Sequence, residues 1–291
     1  MRSSTLLIAA ATAVSASPLA ARQSCDVAND FSNPGCADIA VIFARGTFDS
    51  GNIGPWVGCP FQDSLKAKFG NSAKVAFQGV SASDYSADLS GYIDDGGSAA
   101  CSSSLARSVE DYAKRCPKAK FVISGWSQGA LCAHKSFNSL TSSATRSRIF
   151  ALTTFGDPIS VWQDDMFFPA VPSNTKLLSY CKTSTPDPLC TNPLEDLPHD
   201  PKQFVQRLEA IWKDFSTADL NDAQKQAVKD LISELPKQAS KKIGKLGKDI
   251  LAGHIRRWML TPQHFLYGVG QSPMTQQAAG DIVAAYQSVK A

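Results

Sequence analysis

One short stretch limits what this chain can fold into more than any other: an apolar run that ends in a glycine-flanked serine. Phe121, Val122 and Ile123 read as a buried strand covered on both faces. Gly125, Ser127 and Gly129 follow in the pattern G-x-S-x-G, and a helix is predicted from Gln128 onward. A serine on so tight a strand-to-helix turn needs glycine two residues to either side, because a side chain there collides with neighbouring backbone. The turn lifts the Ser127 hydroxyl clear of the sheet. It also sets the Gln128 N–H at a helix start, where it can donate to a developing oxyanion. The five residues alone are equally compatible with an ordinary glycine-rich turn, so the rest of the chain has to decide.

The 291 residues suit one large domain, and an apolar content of 43% is that of a globular core. A formal charge of +3, with the basic residues concentrated late in the chain, gives no basis for nucleic-acid binding. Met1 and Arg2 precede an apolar run over 6–16 that is too short to span a bilayer and is followed by small residues and Pro18. Residues 1–22 are therefore predicted to be a secretory signal with a possible short pro-segment, and the protein to be exported and soluble. All eight cysteines lie at or after Cys25, and in an exported chain they favour disulfides over metal or thiol chemistry. Cys181 and Cys190 stand out, because a bridge between them would close a short loop and hold Asp187 in place. No N-x-S/T sequon is present, so no N-glycosylation is expected.

Strands are predicted over 37–46, 75–80, 121–123, 149–155 and 176–181, with helical segments between most of them. That alternation argues a mostly parallel sheet with helices on both faces. Loops at the carboxyl ends of such strands collect chemistry. Thr47, just after the first strand, is thus placed to offer a hydroxyl or N–H beside Gln128, or to be a plain turn residue. Residues 198–260 differ: they are lysine-rich, helical in pattern and poor in β-branched runs. Within them Ile243, Leu246, Ile250 and Leu251 recur at helical spacing between lysines, as in a surface helix or one lying on an apolar interface. A last helix is predicted over 274–290.

A serine nucleophile needs a base and an orienting acid. His134 lies on the helix after the serine and reads as a surface or packed residue, and His254 sits among basic residues. His199 and His264 remain. Four segments, ARGTFDSGNIGP, GWSQG, CKTSTPDPLC and QHFLYG, together resemble the cutinase family, small exported α/β-hydrolases that include acetylxylan esterases. The resemblance implies an α/β-hydrolase three-layer sandwich around a central, mostly parallel sheet, here a single domain over 23–291 with a helical insertion at about 198–260. It implies Ser127 as nucleophile, Asp187 as acid, His264 as base, and Thr47 with Gln128 as the oxyanion hole. It also implies disulfides Cys36 to Cys116 and Cys181 to Cys190. The four remaining cysteines are expected to pair as Cys59 with Cys101 and Cys25 with Cys132. His199 stands nearer the family's usual spacing from Cys190, but only His264 is followed by the Tyr-Gly of the family's pattern.

The implied reaction is ester hydrolysis through an acyl-serine intermediate, with no cofactor or metal. Expected partners are an ester substrate of polymeric or lipid-like kind and an apolar interface, the enzyme itself acting as a monomer. Aliphatic polyester of the cutin type is the first expectation. Acetylated xylan is the alternative within enzymes, and a catalytically silent secreted binder the alternative outside them.

Overall fold

The strand that carries Ser127 lies at the centre of the molecule. The computed structural model describes residues 25–191 and 199–290; the predicted export signal over 1–22 lies outside them. In chain order the elements are β1 (Ile39–Ala44), α1 (Cys59–Phe69), β2 (Val75–Gly79), α2 (Leu89–Ile93), α3 (Ala99–Arg115), β3 (Lys120–Trp126), α4 (Gln128–Ser139), α5 (Ser143–Arg146), β4 (Ile149–Phe155), α6 (Ile159–Trp162) and β5 (Lys176–Tyr180). Then come α7 (Pro201–Lys213), α8 (Asp222–Lys241), α9 (Ile243–Leu251), two 3-10 segments (Ile255–Trp258 and Pro262–Gly268) and α10 (Met274–Lys290).

The five strands pair in parallel in the order β2-β1-β3-β4-β5. Chain progression reverses between β1 and β3, which makes their carboxyl ends the switch point where an open α/β sheet presents a crevice. β1, β3 and β4 are covered on both faces, so their residues are buried almost without exception. Each side chain such as Val122 or Ile123 contributes about 1.5–3 kcal/mol of transfer free energy there. One apolar core, holding Val41, Phe43, Phe61 and Phe155, joins that side of the sheet to α1 and α10. A second, holding Ala40, Ile42, Leu105 and Ala133, joins the other side to α3 and α4. These are the three expected layers.

The two cores explain a wrong expectation about the disulfides. Cys36–Cys116 and Cys181–Cys190 are formed, with Cα separations of 5.5 and 5.9 Å. The other four cysteines pair as Cys25–Cys59 and Cys101–Cys132, not as Cys59–Cys101 and Cys25–Cys132. Cys101 on α3 and Cys132 on α4 belong to one core, whereas Cys59 at the start of α1 belongs to the other. A Cys59–Cys101 bridge would have to cross the sheet. Neighbouring helices instead bring Cys101 and Cys132 to a Cα distance of 5.9 Å, inside the range that a disulfide spans.

The predicted helical insertion folds as α7, α8 and α9. Asp200 caps α7 by accepting from the Gln203 N–H, with Pro201 in the first turn, and Asn221 with Gln224 forms a reciprocal capping box at the start of α8. Each helix buries one stripe: Phe204, Leu208 and Trp212 on α7, Val228, Leu231 and Leu235 on α8, Leu246 and Ile250 on α9. The Gln224 amide donates to the Pro55 carbonyl, the Leu89 N–H donates to Gln238, and Lys242 pairs with Asp94. All three links seat the insertion on the crevice end of the sheet.

Candidate functional site

Ser127 sits between β3 and α4 with φ of 59°, in the left-handed region that a serine occupies only under constraint. Backbone crowding supplies that constraint. A Cβ on Gly125 would stand 2.1 Å from the Gly129 carbonyl oxygen, and one on Gly129 would stand 2.0 Å from the Ala44 carbonyl oxygen. Both glycines are therefore required by close approach, as the motif predicts. Phe48 and Ala87 are the other non-glycine residues with positive φ among those described. The Phe48 N–H donates to the Ala87 carbonyl at 2.9 Å, so two of the three strained positions are fastened together between the loops that follow β1 and β2. Strain of this kind gathers at functional sites.

Asp187 and His264 come together from distant parts of the chain. His264 Nδ1 lies 2.7 Å from Asp187 Oδ2, and both side chains are fully buried. The Cys181–Cys190 bridge closes the loop that carries Asp187, and the Leu189 N–H donates to its Oδ1 at 3.0 Å. His264 lies in the 3-10 segment Pro262–Gly268, and the Trp126 indole N–H donates to its carbonyl at 2.9 Å. The last residue of β3 thus holds the histidine segment. Gly156 leaves no room for more: a Cβ there would stand 2.7 Å from the His264 ring and 3.0 Å from Asp187 Oδ2.

A third group reaches the same carboxylate. The Tyr267 hydroxyl donates to Asp187 Oδ2 at 2.6 Å. Burial opposes ionisation of Asp187, but the His264 charge and the hydrogen bonds from His264, Tyr267 and Leu189 outweigh it and hold the carboxyl below its ordinary range. Burial, and then the neighbouring carboxylate charge, push the Tyr267 phenol far up, so it stays an O–H donor. Tyr267 belongs to the HFLYG segment, where the sequence pattern uses it only as a marker for the histidine.

Thr47 and Gln128 also meet. Thr47 Oγ1 donates to Gln128 Oε1 at 3.3 Å, and the Tyr85 hydroxyl is 3.0 Å from the same oxygen. Arg45 lies over the Tyr85 ring, donating to the Tyr85 carbonyl at 2.8 Å and to the Asp49 carbonyl at 2.9 Å. A Cβ on Gly91 would stand 2.5 Å from the Gln128 amide nitrogen, so α2 rests directly on this side chain. Tyr85 escapes sequence reasoning, because nothing in the glycine- and serine-rich stretch around it marks one tyrosine as different.

Ser127 Oγ and His264 Nε2 are both buried and without a hydrogen-bond partner among the described residues. The other histidines are placed differently. His199 is exposed. His254 is partly exposed, 3.6 Å from Asp165. His134 is no surface residue: it is buried, with its Nε2 2.7 Å from Asp157.

The sequence matches the family model described as Cutinase over residues 35–216, more than half of the chain. That match includes Ser127 and Asp187 and stops short of His264. The chain is 39% identical to Cutinase CUT2 of Pyricularia oryzae over 189 residues, which are 64% of this chain and 84% of that protein. It is 34% identical to Cutinase 4 of Emericella nidulans over 183 residues, 62% of this chain and 73% of that one. Among solved structures, a Trichoderma reesei cutinase in complex with a phosphonate inhibitor superposes with a TM-score of 0.44 at 31% identity, over 59% of this chain and 70% of that one.

Proposed function

Because this chain belongs to the cutinase family of serine carboxylic ester hydrolases, we propose that Ser127, His264 and Asp187 are its catalytic triad and that aliphatic esters of polymer or lipid type are its substrates. The buried His264–Asp187 contact of 2.7 Å, at the sheet end that presents Ser127, carries the assignment. His264 Nε2 takes the Ser127 proton as the hydroxyl attacks the ester carbonyl. Asp187, holding Nδ1–H, fixes the tautomer and stabilises the imidazolium. The Ser–His hydrogen bond forms as substrate settles into the crevice, since catalytic hydrogen bonds commonly tighten only in the complex. The Gln128 N–H and Thr47 receive the oxyanion, and losing one such donor typically lowers the rate about 100- to 1000-fold. Expulsion of the alcohol leaves an acyl-serine, and a water activated by His264 releases the acid.

Residues 198–260 act as a cover over the crevice within a single catalytic domain. Where this segment meets the rim, Leu89, Phe204, Leu208, Leu235, Trp258 and Leu260 line a narrow apolar seam of about 10 Å³, room for roughly one water. So small a space marks close apolar packing of the cover on the rim and is no acyl site; it is the match to cutinases among the curated relatives that favours aliphatic esters over acetylated xylan. Export from the cell, with residues 1–22 removed, fits the four disulfides.

The test is hydrolysis of p-nitrophenyl esters from acetate to palmitate by the native protein, by Ser127→Ala, and by a variant with 198–260 replaced by a short linker. Activity that vanishes with Ser127→Ala and survives the deletion with an altered chain-length profile is the expected result. A folded deletion variant with no activity would reopen both the choice of His264 and the role of the cover.

A further inference from the structure

The large apolar side chains left exposed among the described residues are Val27, Phe167, Leu177, Ile243 and Leu251. Ile243 and Leu251 stand on one face of α9, eight residues apart, with exposed Gly244 and Lys248 beside them. Leu246 and Ile250 form the buried part of the same apolar stripe, which Ile243 and Leu251 carry onward to the solvent side. An outward helix face is ordinarily polar, yet Leu251 here is 90% exposed. Phe167, 75% exposed, belongs to the neighbouring loop. That loop is tied to the segment after α9 by Asp165, which pairs with His254 and Arg257.

The charge around this patch is as uneven as its hydrophobicity. Residues 237–257 hold seven Lys and Arg against one carboxylate, Asp249, an excess of six, whereas the whole chain carries a formal +3. The rest of the chain is therefore net negative. Lys242, Lys245 and Arg257 are engaged by Asp94, Asp249 and Asp165, but Lys241 and Lys248 remain exposed beside the apolar face.

We propose that the exposed edge of the apolar stripe of α9, together with Phe167, is a docking surface for an anionic phospholipid surface. Ile243, Leu251 and Phe167 enter the boundary between headgroups and acyl chains, and Lys241 and Lys248 meet the lipid phosphates. An apolar face alone would suit any oily surface; the excess of cations selects an anionic one. The proposal deepens the lipid-ester reading by naming the surface on which the covered site would work.

The experiment is co-sedimentation of the full-length Ser127→Ala protein, which leaves lipid uncleaved, with two kinds of vesicle. One kind is phosphatidylcholine alone, and the other carries roughly 30 mol% phosphatidylglycerol to give an anionic surface. Binding to the anionic vesicles is expected, weakened by about 0.5 M salt, where the Debye length is only about 4 Å. Adding Leu251→Glu or Lys248→Glu should reduce it about tenfold. In the active protein, Leu251→Glu leaves hydrolysis of soluble p-nitrophenyl butyrate unchanged, which shows that it folds. No binding to anionic vesicles, equal binding to neutral ones, or equal binding by Leu251→Glu and its parent would each overturn the proposal. Failure of the esterase reading would show separately, as an active-form protein that does not cleave the soluble ester.

Discussion

The crevice end of the sheet and the helical insertion seated on it use glycine in opposite ways. At the crevice, Gly125, Gly129 and Gly156 stand where a Cβ would meet backbone or the His264 ring at under 3 Å. In the insertion, Gly244 has nothing within 4 Å of where a Cβ would be, and Gly247 meets only the ring of Pro201 at 3.6 Å. The first set belongs to a geometry that close packing fixes to a fraction of an ångström. The second lies in helices whose inner stripe alone is specified and whose outer positions are sterically open. Chemistry that needs atoms aligned for proton transfer can reside only in the first region, while the second can change without disturbing it.

The strongest way to break that comparison is to ask which residues abolish activity. Ser127→Ala and His264→Ala should each lower kcat for p-nitrophenyl butyrate by about 10⁴- to 10⁶-fold, and the double variant should be no worse than either. His199→Ala, at an exposed position just before α7, should hold kcat within a factor of about two, as befits a surface change. A large loss at His199 with little at His264 would move the base into the insertion and dissolve the contrast.

Next in size is Gly129→Ala. Its methyl group would press on the Ala44 carbonyl oxygen, and neither backbone segment can yield without shifting β1 or α4. Overpacking typically costs about 1–3 kcal/mol, and this variant should lie at or above the top of that range in urea unfolding. A loss under about 1 kcal/mol would show that the turn has slack.

Much of this frame is legible in the residues themselves. The apolar run before Ser127 and its two glycines point to strand, turn and helix without further help, whereas Thr47, at the end of another predicted strand, reads equally as a turn residue until the family resemblance assigns it. Asp187 and His264 are 77 residues apart, and no periodicity joins them; only the resemblance of CKTSTPDPLC and QHFLYG to a known pattern brings them together. Tyr85 stays hidden because its contact with Gln128 depends on the path of an irregular loop. The expected pairing of Cys59 with Cys101 fails for a related reason. Spacing along a chain does not say which face of a sheet a helix will cover, and that decides which cysteines meet.

Tyr267 sharpens the comparison on a smaller scale. Tyr267→Phe removes a donor from the oxygen that also accepts from His264 Nδ1. Hydrogen bonds to charged groups contribute about 1.5–3 kcal/mol, so kcat/KM should fall roughly tenfold. Stability carries a pH signature of its own. The depressed Asp187 pKa stabilises the fold above the ordinary carboxyl value of about 3.9 and ceases to do so as pH falls through the folded value. The stability gap between native protein and Tyr267→Phe, measured in urea, should therefore be widest near neutrality and narrow below about pH 4. A gap that stays the same across that pH range would reduce Tyr267 to a packing residue.

The smallest effect should come from Gly247→Ala, and its sign is what matters. Gly247 lies inside α9, where glycine is about 1 kcal/mol less favourable than alanine, and the new methyl would make ordinary contact with Pro201 at 3.6 Å. The substitution should raise stability by about 0.5–1 kcal/mol, with kcat on soluble esters unchanged because α9 touches neither the triad nor Gln128. A gain in stability accompanied by slower hydrolysis of long-chain esters would mean that α9 must loosen for such substrates to enter, linking the openness of the insertion to turnover. A loss of stability would mean that the insertion is fitted as closely as the crevice, and the two regions would no longer differ in kind.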